Sequence, residues 1–154
     1  MNKKQTRKLI KVTLGIALGY TVMSFFINEA NLLANQQQKI MNEVIKKSNI
    51  DPFLKAPTNY SFSCTPTSKG KVLYAKLLQD GTLIIHYESF WEGDGDHSGV
   101  LTGKYNASKN RFDGFYKTND NRFYGEQNLI FEKNGEAQGT WDNGYGTTHI
   151  RLKK

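Results

Sequence analysis

The chain has 154 residues and a formal charge of +7, from 21 Lys and Arg against 14 Asp and Glu, and it contains one cysteine. Five of the basic residues, Lys3, Lys4, Arg7, Lys8 and Lys11, sit in the first eleven positions with no acid among them, so the remaining 16 basic and 14 acidic residues nearly cancel. A surface that neutralises many phosphates needs clustered positive charge on the fold itself, so nucleic acid is not an expected partner, and a single thiol excludes an internal disulfide.

In chain order, the basic tail runs into an uncharged stretch, Val12 to Asn28. With Leu9 and Ile10 added and Lys11 snorkelling, Leu9–Ile27 gives about 19 residues, near the roughly 30 Å of a bilayer core at about 1.5 Å per residue. Residues 1–27 are therefore expected to be a cytoplasmic basic tail and a single-pass signal anchor. The excess of Lys and Arg on the N-terminal flank places that terminus in the cytoplasm and the C-terminal domain outside it. Cleavage wants small residues at the last and third-last positions, and Ala30 follows Asn28 at that spacing while Ala34 follows Leu32. Secretion after cleavage is the alternative to an anchor.

Residues 28–50 lack Gly and Pro and repeat apolar side chains at Leu33, Ile40, Met41, Val44 and Ile45. That spacing predicts an amphipathic stalk helix, with weak self-association as one use of its apolar stripe. Asp51-Pro52 should end it, because proline lacks a backbone donor and restricts the residue before it. Residues 51–58, containing Pro57, are expected to be a linker.

From residue 59 the texture changes to short β-branched and aromatic runs. They are divided by Asp80-Gly81, Lys109-Asn110, Asn119-Asp120-Asn121, Asn134-Gly135 and Asn143-Gly144. Asn-Gly and Asp-Gly accept the positive φ angles of tight hairpins. Strands are expected near 59–65, 71–78, 82–91, 99–106, 110–117, 122–132, 136–142 and 146–153. Eight strands joined by short turns predict a mainly β fold, an antiparallel meander that closes as a small up-and-down barrel or stays open as a strongly twisted sheet. Cys64 alternates with Tyr60 and Phe62 and reads as a buried strand residue.

Within the meander, Leu101-Thr-Gly103-Lys-Tyr105, Phe112-Asp-Gly114-Phe-Tyr116, Phe123-Tyr-Gly125-Glu-Gln127 and Ala137-Gln-Gly139-Thr-Trp141 each put a glycine mid-strand. Period-2 alternation sets each triplet on one face. The glycines mark bends, close backbone approach or room for a ring. The expected result is either core packing or a ligand furrow walled by Leu101, Tyr105, Phe112, Tyr116, Phe123 and Trp141. Phe90 and Trp91 add a possible stacking platform for a glycan or peptide.

Gly125, Leu129, Phe131, Asn134-Gly135, Gly139, Trp141, Asn143-Gly144 and Gly146 resemble one unit of the MORN repeat, a β-hairpin module. The likeness covers residues 123–147. It implies an interaction module that contacts membranes or proteins. Lipocalin-like and avidin-like barrels are equally compatible with the strand count.

Two clusters could carry chemistry. Asp94, Asp96 and Ser98, with Gly99 after them, have the opening spacing of a calcium loop, to which Glu92 could add a fourth oxygen, but the position of the closing bidentate Glu is Tyr105. A weak Ca²⁺ site is the only cofactor the sequence suggests. His86, Glu88 and His149 would form an acid–base cluster if closure brought their strands together. No nucleophile elbow, phosphate loop or zinc spacing occurs. The leading expectation is a membrane-anchored, extracytoplasmic β domain that binds an unidentified protein or glycan without transforming it. The alternative is a small barrel holding a small apolar ligand, and a small hydrolase using His86, Glu88 and His149 ranks last.

Overall fold

The computed structural model describes residues 3–64, 68–142, 144 and 146–154, with side chains from Met23 onward. The chain divides into two units, Met1–Ile40 and Met41–Lys154. Helix α1 spans Lys3–Lys46 without a break at residue 27 or 28. The side chains of the basic flank and of most of Leu9–Ile27 lie outside the described residues. Among the described residues no helix is long and apolar enough to cross a membrane, so the structure does not support the single-pass anchor.

In the second unit, eight antiparallel strands close into a barrel in simple chain order. They are β1 (Ser61–Cys64), β2 (Ser68–Leu77), β3 (Thr82–Trp91), β4 (Gly95–Asn106), β5 (Arg111–Thr118), β6 (Tyr124–Phe131), β7 (Ala137–Asp142) and β8 (Thr147–Lys153). Closure is made by the four residues of β1, which pair with β2 on one side and β8 on the other, as in Cys64 opposite both Ser68 and Ile150. All eight expected strands form. The barrel removes the open edges that a twisted sheet would have left.

Alternation puts Leu83, Ile85 and Tyr87, Leu101 and Tyr105, and Phe112 and Tyr116 inside the barrel, all buried. In β2 the rhythm breaks: a bulge between Val72 and Tyr74 lets Val72 and Ala75, three residues apart, both face inward while Leu73 and Tyr74 stay exposed. The repeated glycines belong to the same inner face. Gly103 and Gly114 stand opposite each other across β4 and β5, and a Cβ on Gly103 would overlap the Asp113 carbonyl and the Gly114 Cα. The missing side chains let the wall bend tightly there.

The expected linker is part of the fold. Asp51–Lys55 forms the short helix α2, with Pro52 in its first turn, and Pro57–Asn59 forms a 3-10 turn. Helix α1 stops at Lys46, before Asp51-Pro52 is reached, and Pro52 instead opens α2; the chain restarts there because Phe53 and Ile50 have a core to enter, and neither is exposed at all. The Phe53 ring meets Tyr60 at 5.2 Å and Phe131 at 5.5 Å. The Tyr60 hydroxyl donates to the Asn134 carbonyl at 2.9 Å, and Asn49 donates from its backbone to Asn110 Oδ1 and from its side chain to the Phe131 carbonyl, both at 2.8 Å. Gly135, at φ +83°, leaves room for this plug, since a Cβ would lie 2.7 Å from the Phe53 nitrogen. One end of the barrel is thus stoppered by residues 49–60.

Candidate functional site

Among the described residues the opposite end has no such plug. It is bordered by the β3–β4 turn and the β5–β6 loop, with the facing ends of β1 and β2 and of β7 and β8 at the same end, and the rings of Trp91, Phe123 and Trp141 are packed there but only partly buried. Trp91 lies 4.8 Å from Phe123, 5.1 Å from Trp141 and 4.5 Å from His97. Trp141 in turn meets Tyr116 edge to face at 4.9 Å.

Beneath these rings is a cavity. Its aliphatic wall includes Leu101 and Ile150, its rings are Phe62, Tyr87, Trp91, Tyr116 and Trp141, and its small or polar contributors are Cys64, Ser68 and Gln127. The space between these side chains comes to about 330 Å³ counted out to solvent, of which about 30 Å³ admits the centre of a water molecule. One or two waters need about that much. The rings therefore fill most of the interior, and a larger guest requires one of the partly buried rings to move.

The polar chemistry of this lining is unusual for a core. Ser68 Oγ, Tyr116 Oη, Gln127 Nε2 and Trp141 Nε1 are all buried without a hydrogen-bond partner among the described residues. The Trp141 indole is near enough to the Tyr116 phenol to lower its pKa, but no hydrogen bond joins the two. Buried polar atoms normally find partners, and each one that does not costs about 1–3 kcal/mol. Burial raises the Tyr87 and Tyr116 phenols above their ordinary range, and for each a neighbouring titratable side chain adds to the shift. Burial likewise pushes the Cys64 thiol up, against a smaller opposing effect of Ser68. All three groups are neutral at pH 7.

At the rim, His97 Nε2 lies 2.8 Å from Asp94 Oδ2, with no hydrogen bond between them. Arg122 reaches Asp94 at 3.4 Å and stacks 5.4 Å from the Phe123 ring. This network ties the β3–β4 turn to the β5–β6 loop beside the ring cluster.

The expected furrow residues divide accordingly. Leu101, Tyr116, Trp141 and Trp91 line the cavity, and Phe123 packs on Trp91 above it. Tyr105 and Phe112 are buried towards the plugged end, where Tyr105 meets Phe131 at 5.9 Å. Phe90 faces outward and is 55% exposed, so Phe90 and Trp91 do not form one platform. Ser68, Gln127, Tyr87 and Cys64 were not expected in the site. Gln127 carried a signal, being a polar residue on the inner face of the Phe123-Gly125-Gln127 triplet.

The acidic loop is shorter than expected, because β4 begins at Gly95 and not at 99. Asp96 and Ser98 follow each other along an extended strand, opposite Phe90 and Glu88, where alternate residues lie about 7 Å apart. Ser98 Oγ accepts from Asn119 Nδ2 at 2.8 Å, and Asp94 is engaged by His97 and Arg122. Among the described residues no three His, Cys, Asp or Glu side chains are grouped to hold a metal ion. The acid–base cluster does not assemble. His86 and His149 are both exposed on the outer wall, with β1 and β2 between their strands, about 14 Å apart at the usual strand spacing. His86 packs on Tyr74, and Glu88 pairs with Lys71 at 3.1 Å. Closure separated these groups because all three lie on the outward phase of their strands.

No protein-family model matches the chain, and no curated protein matches it in sequence. Among solved structures it is similar to a redesigned β-barrel, mFAP1, determined bound to DFHBI. That likeness covers 60% of this chain and 86% of the other at 8% identity, with a TM-score of 0.48. A likeness so distant fixes neither family nor ligand. The MORN-like segment 123–147 supplies β6, β7 and the start of β8 of the closed barrel, and its Asn143 lies outside the described residues.

Proposed function

We propose that residues 41–154 form a small ligand-binding barrel whose site is the cavity beneath Trp91 and Trp141. The observation that carries this reading is the asymmetry of the two ends. One is stoppered by Ile50, Phe53 and Tyr60 with every ring in contact. The other keeps a cavity lined by apolar and aromatic side chains with four unpartnered polar atoms, the composition expected of a small-molecule site. A guest enters by turning out the partly buried Trp91 or Trp141, since the free space beneath them takes only one or two waters.

The two tryptophans of the chain both line this cavity, so intrinsic fluorescence reports on the site directly. A screen of neutral one- and two-ring compounds should find members that change tryptophan emission saturably and raise the melting temperature, as any ligand of the folded state must. A screen in which no compound changes either signal at millimolar concentration would overturn the reading.

A further inference from the structure

The cavity's polar atoms are specific enough to name the class of molecule that fits it, an inference that rests on the binding reading above. We infer that the ligand is an uncharged, flat, mostly apolar molecule carrying a hydrogen-bond acceptor, such as a ketone or other carbonyl oxygen, that receives the Trp141 indole N–H.

Three observations lead there. First, among the described residues the lining contains no Asp, Glu, Lys, Arg or His. An ion brought into this space would lose its hydration and find no opposite charge, a penalty of several kcal/mol, so a charged ligand is selected against. Secondly, the unpartnered atoms are biased towards donation. Trp141 Nε1 can only donate, Gln127 presents its amide N–H group, and the Ser68 and Tyr116 hydroxyls can donate or accept. A pure hydrocarbon would leave all of them unsatisfied, whereas an acceptor oxygen takes the indole N–H and one further donor. Thirdly, the faces that would enclose the guest are rings, Tyr87, Trp91, Tyr116 and Trp141. Trp141 and Tyr116 already stand edge to face at 4.9 Å, and rings so arranged favour a planar guest that stacks on one and meets the edge of another.

The test uses the full chain and three probes of nearly equal size: acetophenone, ethylbenzene and benzoate. The first is neutral with an acceptor, the second neutral without one, and the third charged. Binding is followed in NMR spectra through the two indole N–H resonances, with Trp141→Phe assigning the Trp141 signal. Acetophenone is expected to bind about tenfold more tightly than ethylbenzene, the worth of one satisfied buried donor, and to move the Trp141 N–H resonance downfield. Benzoate should bind more weakly than either. In Trp141→Phe the preference for acetophenone over ethylbenzene should disappear while ethylbenzene still binds. Gln127→Leu, with its fold checked by melting temperature, should reduce the same preference. If ethylbenzene or benzoate binds as well as acetophenone, or if the preference survives in Trp141→Phe, the ligand class is wrong and the binding barrel stands. If none of the three perturbs either indole resonance at millimolar concentration, the binding reading falls as well.

Discussion

Phe53→Ala should unfasten the barrel. The Phe53 side chain is completely buried, and an aromatic ring in that position removes about 150–200 Å² from water, worth about 4 kcal/mol at about 25 cal/mol per Å². The substitution also removes ring contacts with Tyr60 at 5.2 Å and Phe131 at 5.5 Å, and the backbone ties of Asn49 and Tyr60 on either side limit how far the plug can collapse into the space. A loss of about 3–5 kcal/mol is therefore expected. Equilibrium urea unfolding followed by circular dichroism gives the value directly, with the melting temperature falling by roughly 10–20 °C. A loss below about 1 kcal/mol would refute the reasoning, since residues 51–58 would then be the loose linker that their two prolines suggest.

Four further outcomes follow from the same geometry. Gly103→Ala should cost at least about 2 kcal/mol, because the added Cβ would meet backbone that cannot turn aside. Gly93→Ala, in open space at φ +88°, should cost only about 1 kcal/mol. Lys104 donates to Asp80 Oδ2 at 2.8 Å, and the Thr82 backbone donates to its Oδ1 at 2.9 Å; these bonds hold the Asp80 carboxyl down at about 2. Its folded value is depressed, so its stabilising contribution is complete above the ordinary carboxylate value near about 4 and is lost as pH falls through about 2. Lys104→Met should move the NMR titration midpoint of Asp80 upward, and an unmoved midpoint would contradict the assignment. The Cys64 thiol, buried and with its pKa raised, should react with a disulfide reagent roughly 100-fold more slowly in the native protein than in urea.

The strand order was legible because the evidence for it is local. Asp80-Gly81 and Asn134-Gly135 mark their turns by residue type, with Gly81 and Gly135 both at positive φ, and inward and outward residues alternate between them. Closure was not legible, since it depends on pairing Cys64 with Ile150, a long-range register that no local pattern encodes. The plug was hidden for a related reason: Asp51-Pro52 and Pro57 announce a break, and only the cavity they enter turns Phe53 into core. Inner-face triplets led to Leu101, Tyr116 and Trp141. They could not distinguish the cavity end from the plugged end, so Tyr105 and Phe112 were grouped with them. The acid–base cluster failed on phase, because His86, Glu88 and His149 all fall on the outward side of the alternation.

The central claim, that the unplugged end of the barrel holds a small-molecule site, is tested most directly by a crystal structure grown at saturating acetophenone. The expected result is one molecule bounded by Leu101, Tyr116 and Trp141, its oxygen within hydrogen-bond reach of Trp141 Nε1, with Trp91 turned from its contact with Trp141. An interior unchanged from the free protein, with acetophenone only on the outer wall beside exposed rings such as Phe115 and Tyr124, would contradict it.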